Sequence, residues 1–156
     1  MEIGPNVVIG DCVSLGDGVS IGANAVLGDD IRLGRGVVVE AGAVIGKLPR
    51  LGTHSRHPSV SVGRVIIGDG AAICTHAVVY LDVVIGEGSI AGEHSVMRER
   101  TRMGSHSVLG RGCGTAPGVS IGSRVRAQAG SGLAPGSVIE DDVFIGSNCQ
   151  MLWMGA

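Results

Sequence analysis

Aromatic residues are almost absent from this 156-residue sequence, which contains one Trp, one Tyr and one Phe. Proteins that bind single-stranded nucleic acid usually stack the bases on several aromatic side chains, so the composition speaks against that class. The net charge of −2 also provides no basic surface of the kind that attracts DNA, RNA or an anionic membrane. The hydrophobic core must therefore be built from aliphatic side chains.

Long apolar runs and paired cysteines are missing as well. No segment approaches the roughly 18 apolar residues of a transmembrane helix, and the opening MEIGPNVVIG lacks the basic and apolar regions of a secretory signal peptide. The four cysteines form no CxxC motif. We therefore expect a cytoplasmic protein whose cysteines, such as Cys113 and Cys149, serve as small apolar side chains rather than as disulfides.

A repeat with a period of six residues organises the chain. From Ile3 to Leu51 an aliphatic residue recurs every six positions, and from Val7 to Ala43 a small or β-branched residue follows four positions after it. Glycine comes directly after each aliphatic residue of this block except Val39, which Glu40 follows. The phase breaks after Leu51 and resumes at Ile67.

The period restricts the fold to one class. It matches neither a 3.6-residue helix nor the turn spacing of a β-sandwich, and collagen would need glycine at every third position and far more than 5 prolines. Three short strands per coil, with glycine or Asn/Asp at the corners, fit the pattern. We therefore predict an all-β fold, a parallel β-helix of about eight 18-residue coils.

The phase break predicts a loop near residues 52–66 that leaves the β-helix. We interpret residues 1–156 as a single domain: regular coils over 3–51, this loop, further coils over 67–150 and a tail at 151–156. Basic side chains lie in the loop or just before it: Arg50, His54, Arg56, His57 and Arg64. Insertions in repeat proteins often form the binding face, and arginine suits phosphate. We expect the loop to contact phosphates of a cofactor or substrate, a solvated surface loop being the alternative.

Residues 18 apart should stack on one wall, and two such pairs contain reactive or charged side chains. His76 and His94 form one pair, and Tyr80 and Arg98 form the other. Leu51, where the loop departs, is assigned to the same wall one coil below Val79. We therefore expect the loop and these four side chains to meet at one edge of the prism.

These columns indicate a candidate general base and candidate ligand-binding residues. Glu93 precedes His94, and an imidazole beside a carboxylate suits proton abstraction near neutral pH. His76 is a second candidate for catalysis, while Arg98 and Glu99 are candidates for binding substrate or cofactor together with Tyr80. The alternative is that the histidines are solvated corner residues and that Arg98 and Glu99 form a surface ion pair.

The tandem pattern [Ile/Leu/Val]-Gly-x-x-[small/Val]-x resembles that of the hexapeptide-repeat acyltransferases, whose fold is a left-handed parallel β-helix. The segment GKLPR at residues 46–50 and the pair Arg98-Glu99 are similar to the sugar N-acetyltransferase-like branch of that family. A polar, Asn-bearing hexad would be expected in that branch where this sequence has Thr115-Ala116.

The resemblance implies acyl transfer to an amino or hydroxyl group, with a nucleotide-linked sugar as the acceptor. It implies acetyl-CoA or another acyl-CoA as co-substrate, no metal, a histidine base, and a homotrimer with its sites in the grooves between β-helices.

Two other functions remain open from the sequence. A metalloenzyme of the γ-carbonic anhydrase type shares the fold, but its site wants three histidines, and here only His76 and His94 stack, with His54 and His57 in the loop. A non-catalytic or degenerate β-helix scaffold is the other alternative, for which Ala116 is the main argument.

Overall fold

Short parallel strands coil around one axis in the computed structural model, which describes residues 1–56 and 63–153. The strands of these residues are, in chain order, β1 (Glu2–Ile3), β2 (Val8–Ile9), β3 (Ser14–Leu15), β4 (Ser20–Ile21), β5 (Val26–Leu27), β6 (Ile31–Leu33), β7 (Val38–Val39), β8 (Val44–Lys47), β9 (Val65–Ile67), β10 (Ala72–Ile73), β11 (Val78–Tyr80), β12 (Val84–Ile85), β13 (Ile90–Ala91), β14 (Val96–Met97), β15 (Arg102–Met103), β16 (Val108–Leu109), β17 (Gly114–Thr115), β18 (Ser120–Ile121), β19 (Arg126–Ala127), β20 (Gly132–Leu133), β21 (Val138–Ile139) and β22 (Phe144–Ile145). Helices are absent from these residues, so no described helix has the length and apolarity needed to cross a membrane.

Every third strand pairs in parallel with the one a coil below it, which produces three sheets. Sheet A contains β1, β4, β7, β10, β13, β16, β19 and β22; sheet B contains β2, β5, β8, β11, β14, β17 and β20; sheet C contains β3, β6, β9, β12, β15, β18 and β21. The register is 18 residues in most pairs, as in Ile3 opposite Ile21. The predicted parallel β-helix is confirmed. We name its corners A–B, B–C and C–A after the sheets that the chain joins there.

The glycine after each aliphatic residue is explained by close packing of one coil on the next. A Cβ added to Gly104 would lie 2.6 Å from the carbonyl carbon of Gly122 in the coil above, which is closer than real side chains come. Backbone N–H groups at these positions donate across the same gap, as from Gly104 to the carbonyl of Ile121 at 2.8 Å. The repeat therefore uses glycine where two backbones meet.

The interior is aliphatic in the lower coils and becomes partly polar in the upper ones. Buried serines there donate to carbonyl groups of the next coil, as Ser89 Oγ does to Gly104 at 2.7 Å. Thr115 also points inward: its hydroxyl lies 2.7 Å from that of Thr101 and accepts a hydrogen bond from the N–H of Arg98. Position 115 thus contributes to the core, and its polar group is satisfied there.

The loop begins earlier than the sequence predicted. Ile45, not Leu51, lies one coil below Val79, so the assignment of Leu51 to that wall was wrong. The chain leaves the prism after Lys47 and returns at Val65. The physical reason is Pro49, which occupies the position of the small inward residue. In the regular coils the N–H of that residue donates within the corner, as Ala43 does to Glu40 at 3.3 Å, and proline has no such donor.

The tail extends sheet B. Gln150 forms a parallel bridge with Gly132, and the N–H of Met151 donates to the same glycine carbonyl at 2.9 Å. Trp153 is 60% exposed. Cys149, expected to be an inward residue, is exposed because it lies in the last coil, whereas Cys113 is buried.

Ser95 and Ser107 provide a test of how these buried hydroxyls affect stability. Both are fully buried, but the Ser95 Oγ is without a partner in the described structure, whereas Ser107 Oγ donates to Gly122 and accepts from the N–H of Val125. We expect Ser95→Ala to be neutral or stabilising by up to about 1 kcal/mol, because it removes an unpaired buried hydroxyl. Ser107→Ala should cost about 1–3 kcal/mol. Urea unfolding of both variants measures the difference, and equal destabilisation would contradict this account.

Candidate active site

The predicted site residues lie at the two opposite edges of sheet B. His76, Glu93 and His94 lie at the A–B corner, before β11 and β14, whereas Tyr80 and Arg98 follow the buried residues of those strands and begin the B–C corner. Arg98 follows His94 by four positions, which corresponds to about 13 Å of extended chain. The expectation of a single shared edge was therefore wrong, although the side chains do flank the same wall.

The two histidines stack in neighbouring coils. Their ring centroids are 5.2 Å apart with the planes inclined by 58°. Both have a left-handed backbone, with φ of 57° for His76 and 56° for His94. The equivalent corner residues of the other coils also have positive φ. They are Asn6, Asn24, Gly42, Gly112, Gly130 and Asn148. A left-handed backbone is disfavoured for most residues with a Cβ, so the two histidines are the unexpected members of this column.

Gly42 provides room for the His76 ring. A Cβ at Gly42 would collide with Cδ2 and Nε2 of that imidazole. The ring is therefore held between the bare backbone of Gly42 below and the ring of His94 above. Both histidine side chains remain exposed to solvent.

An acidic cluster lies next to the histidines. One ligand atom each of Glu40, Cys74 and Glu93 lies within 4.8 Å of the others, and Glu40 accepts hydrogen bonds from the N–H and hydroxyl of Thr75 at 2.8 and 3.0 Å. Burial, reinforced by the charges of Glu40 and Glu93, raises the pKa of the Cys74 thiol to about 11. Cys74 is therefore a protonated thiol at neutral pH, and a metal ion bound by these three side chains would have to displace its proton.

Glu40 is a residue whose position the sequence could have revealed. It stands where glycine follows every other aliphatic residue between Ile3 and Leu51. Its carboxylate bonds to Thr75, 35 positions later in the chain, because the loop is inserted between two adjacent coils. Its carboxylate anchors the backbone that leads directly into His76.

Glu93 and His94 open onto a groove. The groove climbs the A–B corner, has a volume of ≈ 580 Å³, and is also lined by Arg111, Gly112, Ala129, Gly130, Ser147 and Asn148. Arg111 was not among the predicted site residues, although it lies 18 positions after Glu93. No hydrogen bond joins the Glu93 carboxylate to the His94 ring in the described residues, so the backbone and His76 orient that ring.

A second cluster occupies the B–C corner. The Arg98 guanidinium lies 4.7 Å from the centroid of the Tyr80 ring, and Lys47 Nζ lies 5.6 Å from the same centroid. Arg98 donates to both carboxylate oxygens of Glu99, at 2.8 and 3.1 Å. Glu99 is only 3% exposed. It was predicted to bind a ligand, but its oxygens face Arg98 and its burial leaves no surface for direct contact.

Glu99 is ionised despite its burial. Loss of solvent pushes the pKa of its carboxyl upwards, but the hydrogen bonds from Arg98 and from its own N–H, with the charges of Arg98 and Arg100, outweigh this effect. The pKa of Glu99 consequently lies below its ordinary value, and that of Arg98 lies above its own, chiefly because of the hydrogen bond to Glu99. Buried charges require such pairing.

Both ends of the loop are fixed at the B–C corner. Lys47 accepts a hydrogen bond from the N–H of Leu81, and Gly63 accepts one from the N–H of Asp82. Arg64 lies 3.9 Å from Asp30 in an exposed ion pair. The remaining basic side chains of the described loop are exposed: Arg50, His54 and Arg56. His57 lies outside the described residues.

Comparison with protein-family models identifies two hexapeptide-repeat models along the chain. The bacterial transferase hexapeptide (six repeats) matches residues 2–29 and 13–47. The hexapeptide repeat of succinyl-transferase matches residues 100–133 and 137–155. A comparison with curated proteins finds no significant match.

Solved structures with the same fold include sugar acyltransferases. PerB from Caulobacter crescentus, a perosamine N-acetyltransferase crystallised with CoA and GDP-perosamine, is 28% identical with a TM-score of 0.63, covering 85% of this chain and 55% of its own. LpxA from Acinetobacter baumannii is 21% identical with a TM-score of 0.57, covering 88% of this chain and 59% of its own. The present chain thus spans a little over half the length of these proteins, and the likeness to LpxA concerns the fold.

The buried Glu99 should make stability depend on pH. Its ordinary pKa is 4.5 and its folded pKa is lower, so its ion pair contributes stability above about pH 4.5 that is lost as the pH falls through the folded pKa. We expect Glu99→Gln to cost about 1.5–3 kcal/mol at pH 7 and the difference from the parent protein to shrink in acid. Unfolding in urea between pH 3.5 and 7 measures this. Glu140→Gln, at an exposed position, is the control, and a difference that stays constant down to pH 3.5 would contradict the assignment.

Proposed function

We propose, on the premise that the chain belongs to the hexapeptide-repeat acyltransferase family, that it transfers an acetyl or other acyl group from a coenzyme A thioester to an amino or hydroxyl group of a nucleotide-linked sugar. The likeness to the perosamine N-acetyltransferase, crystallised with CoA and GDP-perosamine, supports this choice of donor and acceptor. That relative has also been crystallised as variants in which one histidine is replaced.

The observation that carries the proposal is the position of His94. Its imidazole is exposed at the lower end of the A–B groove and is supported from below by His76 at 5.2 Å. It has a left-handed backbone that most coils provide with Gly or Asn. An exposed reactive side chain that points into a groove with other polar groups is typical of functional sites.

The chemistry needs one proton carrier and two charge stabilisers. His94 accepts the proton from the acceptor amine or hydroxyl as that atom attacks the thioester carbonyl carbon. The negatively charged carbonyl oxygen of the tetrahedral intermediate requires positive charge or N–H donors, and Arg111 lines the same groove. When the carbon–sulfur bond breaks, the coenzyme A thiolate leaves and takes the proton from the imidazolium. Glu93 lines the groove beside His94 and places a carboxylate there.

The binding residues complete the proposal at the other edge of sheet B. Tyr80 and Arg98 lie there with the ends of the loop, and the loop residues Arg50, His54, Arg56, His57 and Arg64 would contact the phosphates of acceptor or coenzyme A. Glu99 acts through Arg98, since it is buried. No metal takes part in this scheme.

We further propose that the protein is a homotrimer. The outer face of sheet B carries a column of valines in register, followed by two glycines: Val8, Val26, Val44, Val78, Val96, Gly114 and Gly132. Sheet A is apolar in its middle coils, whereas sheet C exposes Arg32 and Arg102. Apolar faces therefore meet at the A–B corner, and association there would place the histidine groove between two copies.

We also propose the reducing cytoplasm as the compartment. All four cysteines are free thiols, which is the usual state in that compartment.

Replacement of His94 tests the catalytic assignment. Asparagine is the appropriate substitute because Asn24 and Asn148 occupy the same corner position with positive φ. We expect His94→Asn to lower kcat by about 10²–10⁴-fold, the usual contribution of a general base, while the unfolding midpoint and its rise with added coenzyme A stay as in the parent protein. His106→Asn, at the C–A corner, is the control. Retained turnover in His94→Asn would sink the assignment, and absence of any coenzyme A effect on the parent protein would favour a non-catalytic scaffold.

A charge placed on the valine column tests the trimer. We expect Val78→Arg to produce monomers at micromolar concentration, because an arginine buried in an apolar interface without a partner costs several kcal/mol. Ser120→Arg, on the exposed outer face of sheet C, should leave the assembly unchanged. Sedimentation equilibrium measures both, and a Val78→Arg protein with the parent's mass would rule out sheet B as the interface.

A further inference from the structure

We propose that Lys47, Tyr80 and Arg98 form a phosphate-binding clamp at the B–C corner and that Glu99 is the positioning residue of this clamp. The ligand class is a phosphate or diphosphate group. The clamp deepens the proposed function. The identity of the molecule that carries the phosphate rests on that function, whereas the clamp itself does not.

The first argument is the arrangement of charge. Lys47 pairs with Tyr80 from the coil below, and Arg98 is the next member of the same column above it. The Tyr80 ring thus lies between two cations, at 5.6 Å from Lys47 Nζ and 4.7 Å from the Arg98 guanidinium. Each cation is attracted by the ring, which allows two positive charges to be held near one another on the surface.

The second argument is that the cluster is positively charged and open. Glu99 is the carboxylate that bonds to Arg98, and no ion pair of Lys47 occurs within the described residues. Two cations and one carboxylate leave a net charge of one positive unit. Lys47 is exposed and the Arg98 side chain is 28% exposed, so an anion can approach both.

The third argument is the geometry of the arginine. Nε and one terminal nitrogen of Arg98 donate to Glu99, which uses two of the five N–H donors of a guanidinium. The remaining donors point away from Glu99 in a fixed plane. A guanidinium held in this way is suited to bidentate recognition of phosphate.

Glu99 explains why the arginine is held so firmly. A carboxylate that is 3% exposed is costly unless it is paired, and as a simple stabilising device it would be a poor choice, since buried ion pairs often contribute little net stability. Its evident effect is to fix the direction of Arg98. We therefore assign Glu99 to positioning and not to ligand contact.

The floor between the clamp and the histidines is apolar and partly bare. Val96 and Gly114 are neighbours on the outer face of sheet B. A Cβ added to Gly114 would meet a single backbone oxygen, 4.0 Å away, and its φ is not positive. The chain itself therefore does not require glycine here, and a glycine within a strand often marks the close approach of a ligand or another backbone. In the proposed homotrimer this face packs against another copy of the chain, and Gly114 is suited to the close approach of that copy's backbone.

Binding of inorganic pyrophosphate tests the clamp without any assumption about turnover. Calorimetric titration at low salt should give a dissociation constant that rises at least about tenfold in Lys47→Gln and in the Arg98→Gln/Glu99→Gln double variant. The double variant removes both charges together and avoids a buried unpaired carboxylate. Arg126→Gln, an exposed arginine of sheet A, is the control for general charge. Unchanged pyrophosphate affinity in Lys47→Gln overturns the proposal.

The positioning role of Glu99 has its own readout. Glu99→Gln keeps the arginine and its charge but weakens the bond that directs it, so pyrophosphate affinity should fall several-fold at a temperature where the variant is fully folded. His94→Asn should leave pyrophosphate affinity unchanged. Parent-like affinity in Glu99→Gln would overturn the role of Glu99.

Two further titrations, with GDP and with coenzyme A, identify the molecule whose phosphate binds at the clamp. A loss of GDP affinity in Lys47→Gln with coenzyme A affinity retained assigns the clamp to the acceptor nucleotide, and the reverse result assigns it to coenzyme A. Failure of the clamp and failure of the proposed function remain distinguishable. Pyrophosphate binding that depends on Lys47 in a protein without acyl transfer would support the clamp alone, and acyl transfer with normal pyrophosphate binding in Lys47→Gln would support the function alone.

Discussion

The structure depends on one constraint, the backbone ladder that joins each coil to the next. Each coil must close in 18 residues for its N–H groups to meet the carbonyls above and below, as in the bond from Gly104 to Ile121. This spacing leaves no room for a side chain where backbones meet, which is why glycine follows the aliphatic residues. It also fixes which side chains can share a column. His94 lies above His76, and Arg98 lies above Tyr80, because the ladder allows no other register.

The same constraint explains how much the sequence could reveal. Period, coil length, sheet membership and the columns of His76, His94, Tyr80 and Arg98 are all consequences of a fixed register, and they were predictable by counting. The point of departure of the loop was not, because Leu51 satisfies the period although Pro49 has already ended the coil. The separation of the histidines from Arg98 was also missed. Counting assigns residues to a wall, but a wall is about 13 Å wide at four extended residues, and its two edges are different sites.

The six-residue sequence pattern could not predict contacts that depend on the direction of a side chain. Glu99 and Glu93 look alike in the sequence, as acidic residues beside a functional candidate. In the structure Glu99 is buried against Arg98, whereas Glu93 is exposed and lies with Glu40 and Cys74. Glu40 could have been noticed as the break in the glycine rule, but its bond to Thr75 crosses the loop and depends on knowing which coils are adjacent. When the loop residues are left out of the sequence count, Glu40 and Thr75 fall in adjacent coils.

Two features that oppose stability lie next to the loop, and their position has a physical meaning. The buried carboxylate of Glu99 and the thiol of Cys74, which is packed between two carboxylates, lie close to the point where the insertion interrupts the ladder. Regular coils continue below and above, with aliphatic cores below and partly polar ones above, and each contributes its own interface with its neighbours, as in other repeat proteins. The free energy from these interfaces offsets the cost of the two coils that contain Cys74 and Glu99. A chain of identical ideal hexads would need none of these residues, so their placement at the two corners that flank sheet B is more simply explained by binding and catalysis at those corners than by folding alone.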